Sequence, residues 1–228
     1  MISSIYKKSF SVLASKPLRL WGISLLSIFL SMAAHILFGV IPGAAIAIGL
    51  LLETSMTLIY LNGFLGQEVK TLQLFDCFRS WRTIGRVLGG MAWMLMWVLL
   101  WSLIPVAGIV FGVIKFYSYR LTPYILMKEP EVKATEAYKL SEQRTMGYKG
   151  KMFWADVLPV LAYIAAVLIL SAFSAIPYLG WLFALVLAVL VVAFAVFLPL
   201  FLGLVQSAFY VEIQKSLDPP AADMGWYE

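Results

Sequence analysis

Val157–Val211 reads VLPVLAYIAAVLILSAFSAIPYLGWLFALVLAVLVVAFAVFLPLFLGLVQSAFYV, 55 residues without an Asp, Glu, Lys or Arg. One membrane crossing needs only about 20 apolar residues. A water-soluble fold could not hide so long a run, so its solvent is a bilayer. In hydrocarbon the backbone must satisfy its own N–H and C=O groups, which leaves helices or a closed barrel. The run is continuous Leu, Ala, Val and Phe and does not alternate, so it reads as helix. Ile176-Pro177 lies inside it and marks a turn between two helices.

The same pair recurs at Ile41-Pro42 and Ile104-Pro105, each at an uncharged break between two apolar stretches. The expected spans are 18–40, 43–64, 87–103, 107–127, 152–173 and 179–211, paired as three hairpins. The fold class that follows is all-α: an integral membrane bundle of about six helices, in a single domain over 1–228. Composition agrees. Hydrophobic residues make up 62% of the chain, charged residues 13%, and the mean hydropathy is +0.91. Soluble domains are nearer half apolar and a quarter charged.

The basic residues avoid the Ile-Pro turns. Lys7, Lys8, Lys16 and Arg19 precede the first span, and Lys70, Arg79, Arg82 and Arg86 follow the second. Lys128, Lys133, Lys139, Arg144, Lys149 and Lys151 follow the fourth, and Lys215 follows the sixth. Cations stay on the cytoplasmic side of bacterial membranes. Both termini and both long connectors are therefore expected in the cytoplasm, with all three Ile-Pro turns outside, in a multi-pass protein of the cell membrane. The net charge of +5 then reflects topology, not nucleic-acid binding. The connectors at 67–86 and 130–145 read as helical, packed under the bundle or lying at the membrane surface. The start of the chain has no signal-peptide pattern, because its apolar run is too long for one.

A shift of 63 residues places Ile41, Pro42, Ala44, Ile46, Gly49, Ser55, Leu58, Glu68, Val69 and Lys70 on identical residues downstream. The period contains two spans, so the copies point the same way, as parallel repeats. The repeat-like units are about 41–103, 104–173 and 174–213.

Few residues could carry chemistry. Glu53 falls near the middle of the second span, where a charge costs roughly 2.5–3.5 kcal/mol. Gly49, Glu53, Thr57 and Tyr60 share a helical stripe. Gly108, Gly112, Lys115, Tyr119 and Thr122 form a matching one on span four, and the repeat puts Lys115 at the depth of Glu53. The expectation is a buried Glu53–Lys115 pair, serving either as a lock on helix register or as part of a solute pathway. Gln206 would add a third polar wall, and Gly49, Gly108 and Gly112 would let helices pack closely. Arg120 is the other basic residue within span four. Asp156 is expected to pair with Lys149 or Lys151. Trp93, Trp97 and Trp101 make a stripe read as lipid-facing or, alternatively, as an aromatic ligand wall. His35 reads as a locally satisfied hydrogen bonder. One Cys (Cys77) and one His exclude a disulfide and make a zinc site implausible. No nucleotide, metalloprotease or nucleophile-elbow motif is present. Neither catalytic residues nor a cofactor is expected.

Trp101–Phe153 carries a pattern: Ile104-Pro105, Lys115, Tyr119, Pro123-Tyr124-Ile125-Leu126, Glu129-Pro130, Glu136-Ala137, Ser141, Gly147-Tyr148-Lys149, Lys151 and Phe153. It resembles the domain-of-unknown-function 975 family of bacterial polytopic membrane proteins. The membrane domain of some glycerophosphodiester phosphodiesterases is similar in pattern. Val106 stands where the family usually has Gly, and Gly150 where it has Trp. The resemblance implies a six-helix plasma-membrane protein and adds no catalytic residues. The expected role is a non-enzymatic accessory or scaffold that binds membrane lipids, a protein partner or a second copy of itself. The alternative is a small transporter or channel working through Glu53 and Lys115.

Overall fold

The computed structural model describes residues 1–15, 17–41, 43–174 and 176–217; Lys16 and Pro42 lie outside them. The described residues form helices and turns, with no strand. In order these are α1 (Ile2–Ser15), α2 (Pro17–Phe38), α3 (Ala44–Phe64), a 3-10 segment (Thr71–Phe78), α4 (Trp81–Ser102) and α5 (Gly108–Ser118). Then come α6 (Thr122–Lys128), α7 (Ala137–Arg144), α8 (Lys149–Ser174) and α9 (Gly180–Leu217). The protein is an all-α bundle. Five of its helices, α2, α3, α4, α8 and α9, are long and apolar enough to cross a membrane.

The stretch expected as a fourth span, 107–127, is divided. Pro123 has no N–H to give and its ring crowds the carbonyl four residues back, which kinks or breaks a helix, and here the chain unwinds over 119–121. α5 ends at Ser118 and α6 begins at Thr122. α7 satisfies the freed backbone groups. Ser141 Oγ accepts from Leu121 N–H at 3.0 Å and donates to Ser118 O at 2.9 Å, and Thr145 Oγ1 donates to Ser118 O at 2.9 Å. Arg86 of α4 closes the far end of α6 by donating to the carbonyls of Leu126 and Glu129 at 2.9 and 2.7 Å.

The turns share one geometry. Gly43, Val106 and Tyr178, each just after the Pro position, have φ of +98°, +67° and +69°. Ala107 N–H bonds Pro105 O, and Leu179 N–H bonds Pro177 O, each across a single residue. Gly108 abuts Ser102 O and Gly180 abuts Ser174 O so closely that a Cβ would sit 2.2 and 2.1 Å away. Beyond the turns the units diverge: α3 has 21 residues where α5 has 11.

Both basic connectors fold back along the helices, not under them. Phe75 and Phe78 of the 3-10 segment share a cleft with Leu30, Leu37 and Phe38 of α2 and Ile48 and Leu52 of α3. α7 climbs along α4 and α5, stacking Tyr138 on Trp97 at 6.0 Å. On one side of α5, Phe153 of α8 meets Tyr117 at 5.7 Å, and Asp156 of α8 meets Arg120 in the turn that follows.

α9 has two halves. Few residues of Gly180–Pro199 are buried by the protein, whereas Leu200–Ile213 contributes a long series of buried residues. This second half, with α3 and α6, forms the core around Leu52, Ile59, Leu126, Leu204 and Phe209. The helix runs through Pro199 without interruption.

Candidate functional site

Three helices line an open cavity of about 490 Å³. α2 contributes Ser24, Ser27 and Ser31, spaced three and four apart so that all face one side. α3 contributes Gly49, Glu53, Thr57 and Tyr60, the stripe expected from the sequence. α9 contributes Pro199, Gly203 and Gln206. The wall is braced where Tyr60 and Ser24 share a hydrogen bond at 3.2 Å. Gly203 lies against the Tyr60 ring, which a Cβ would meet at 2.2 Å, so Gly alone fits there.

Glu53 is the only acid in this lining. Its side chain is exposed, and the space it faces is the cavity. Among the described residues no side chain or backbone N–H donates to its carboxylate; the Thr57 hydroxyl bonds the Glu53 backbone carbonyl instead, at 2.9 Å. Arg120 is near enough to act on Glu53 electrostatically.

Arg120 sits in the unwound turn between α5 and α6. It pairs with Asp156 of α8 at 2.5 Å, and both side chains are nearly covered, 10% and 14% exposed. Tyr117 Oη donates to the same carboxylate at 3.1 Å. With the Gln206 amide turned so that its oxygen faces Arg120, that oxygen accepts from the guanidinium. Gln206 thus touches the cavity on one side and Arg120 on the other. α1 borders this cluster: Tyr6 Oη donates to Ala155 O at 2.6 Å. Burial, and then the nearby Asp156 charge, raise the Tyr6 hydroxyl above its ordinary value.

Lys115 is elsewhere. It donates to Glu142 of α7 at 2.7 Å, and its Nζ lies 4.7 Å from the Trp101 ring centre. Tyr119, 2% exposed, packs edge-on against Tyr138. The expected Glu53–Lys115 pair therefore does not form. The Pro123 break turns the chain after Ser118, which points Arg120 at the cavity side and leaves Lys115 facing the connector.

Of the expected residues, the structure gathers Glu53, Thr57, Tyr60 and Gln206 around one space and excludes Lys115 and Tyr119. Gly108 and Gly112 do pack closely, against Ser102 of α4, but nothing lies within 4 Å of a Cβ at Gly49, which lines the cavity. Asp156 pairs with Arg120, and Lys149 goes instead to Glu142 at 3.9 Å. Trp97 and Trp101 face α7 and Lys115, while Trp93 is partly exposed. His35 bonds Ser31 O at 2.8 Å, a local contact as expected. The serine stripe of α2 escaped the sequence reading, although its spacing inside an apolar run was a visible signal. Among the described residues no group of His, Cys, Asp and Glu could hold a metal ion.

Comparison with protein families, with curated proteins and with solved structures finds no match to this chain.

Proposed function

We propose that the protein is a small membrane transporter or channel that binds a small cation, a proton included, at Glu53. The supporting observation is the Glu53 carboxylate, which opens into a cavity edged by hydroxyl groups and takes no hydrogen bond from the described residues. Arg120 pairs with Asp156 and reaches Glu53 only through space. One negative charge is left over. Within a span such a charge is costly unless a partner neutralises it. Asp156 already has Arg120 and Tyr117, so the vacancy falls to Glu53. The hydroxyls of Ser24, Ser27, Ser31 and Thr57 supply neutral oxygens around it. A cavity of this size is within the range of small-molecule sites, roughly 300–1,000 Å³.

The test is flux into reconstituted vesicles under separate gradients of protons, sodium, potassium and small primary amines. Flux of at least one is expected, and Glu53→Gln should cut it tenfold or more. The same substitution should leave thermal stability unchanged or raised, since it removes an uncompensated charge. Absence of flux for every cation, or marked destabilisation by Glu53→Gln, sinks the reading. The accessory or scaffold role, with a protein or lipid partner, draws on a different observation. Leu72, Trp81 and Met146 in or beside the basic connectors are 79%, 87% and 69% exposed.

A further inference from the structure

The α2/α3 pair fixes which groups around Glu53 lie at its level. Tyr60 and Ser24 bond across the pair at 3.2 Å. Towards the other end, Leu37 of α2 and Ile48 of α3 line one cleft, so the helices run antiparallel. Equal steps along each helix from the Tyr60–Ser24 bond therefore stay level. Seven residues make about two turns and return to the same face. Seven steps bring Ser31 level with Glu53, and three steps bring Ser27 level with Thr57. All four line the cavity.

The polar atoms here lack partners. Among the described residues, neither the Ser27 nor the Ser31 hydroxyl makes a hydrogen bond, and no group donates to the Glu53 carboxylate. Other parts of the wall are apolar, at Ile28, Met56 and Leu202. As the one acid in the lining, Glu53 balances a single positive charge. A divalent ion such as calcium takes about six to eight oxygens at roughly 2.3–2.6 Å. One carboxylate in an open space of about 490 Å³ does not close such a shell. A hydrated ion would leave the apolar walls wet, whereas an apolar body would cover them. An ammonium group has three N–H donors and no acceptor, which matches a carboxylate beside hydroxyl oxygens.

We infer that the cavity binds a primary ammonium ion carried on an apolar body. The ammonium group donates to the Glu53 carboxylate and the Ser31 hydroxyl, and the body lies against Ile28, Met56 and Leu202. This deepens the reading of Glu53 as the cation site and rests on it, but it does not require transport. Gly49 shows the room for the body: it lines the cavity, and nothing lies within 4 Å of where its Cβ would be.

Equilibrium binding of radiolabelled phenethylamine to the full chain in mild detergent tests it. Saturable binding is expected. Methylammonium, which lacks the body, and phenethyl alcohol, which lacks the charge, should each displace it at least tenfold more weakly than unlabelled phenethylamine. Glu53→Gln should weaken binding tenfold or more, and Ser31→Ala about fivefold through one lost hydrogen bond. Gly49→Leu should weaken phenethylamine tenfold while leaving direct binding of labelled methylammonium unchanged. Thermal midpoints measured alongside exclude loss of fold as the cause. Displacement by methylammonium or phenethyl alcohol as strong as by phenethylamine would overturn the substrate class. Glu53-dependent flux of protons, sodium or potassium without phenethylamine binding would overturn it too, while leaving Glu53 as a cation site. Phenethylamine binding that Glu53→Gln does not weaken would remove both.

Discussion

Lys115 and Arg120 are five residues apart, yet they belong to different parts of the molecule. Lys115 is the last charged residue of a continuous helix; Arg120 lies in the unwound turn that follows. Lys115 shares Glu142 with Lys149 and rests on Trp101. Arg120 meets Asp156 and Gln206 and acts on Glu53. The first site has more cations than anions, and the second has more anions than cations. A residue's role here follows from the sign of what its surroundings lack. Lys115 shares one carboxylate with a second cation, whereas Arg120 pairs with Asp156 and acts through space on a second carboxylate, Glu53.

The largest effect should come from Arg120→Gln. It strands Asp156 in a site that is nearly covered, and breaking a buried pair costs about 3–5 kcal/mol. Thermal unfolding in detergent should show a large fall in midpoint, and adding Asp156→Asn should recover much of it. Without recovery, Arg120 and Asp156 are not an energetic pair and the charge count at Glu53 fails.

Ser141→Ala should come next. It leaves the Leu121 N–H without its acceptor, while Ser118 O keeps Thr145. A buried, unsatisfied backbone donor costs about 1–3 kcal/mol. The stability loss should be accompanied by faster hydrogen exchange at Leu121. A Ser141→Ala protein that exchanges no faster there would show that α7 does not hold the turn separating the two cations.

Much of this was legible in the residues, and the failures have physical causes. Continuous apolar runs and Pro marked the long helices, because those signals are local. The α3 stripe and Gln206 came together because helical spacing and depth fix which residues can line one space. The partner of Glu53 was misread for a different reason. Pairing by the 63-residue repeat assumes that α5 continues as α3 does, and Pro123 stops it. The reading also left the connectors under the bundle or at the membrane surface, since charge content says nothing of where a polar segment packs. Glu142 and Tyr138 reach deep along α4 and α5 because Ser141 and Thr145 are needed at the broken turn.

Lys115→Met should cost about 1 kcal/mol, well below Arg120→Gln. Glu142 would keep Lys149, and the apolar replacement can lie on Trp101 as the lysine stem does. A loss as large as that of Arg120→Gln would erase the distinction between a backed-up cation and one without a substitute.

The smallest effect has the opposite sign. Val106 holds φ at +67° in the α4/α5 turn, a conformation that disfavours a β-branched residue. Its side chain is fully exposed, so the protein loses no packing when it is removed. The left-handed conformation costs an L-residue about 1–2 kcal/mol. Glycine removes that strain but adds freedom to the unfolded chain, offsetting about 0.4–1 kcal/mol. Val106→Gly should therefore stabilise by about 0.5–1 kcal/mol. The fully exposed Val106 side chain packs on neither cation cluster, so its gain should add to both substitutions without altering their difference. Unfolding midpoints of the single and combined variants check this. If Val106→Gly rescues Arg120→Gln by more than it raises the parent protein, the turn and the cluster are coupled. The separation between the Lys115 and Arg120 sites would then be incomplete.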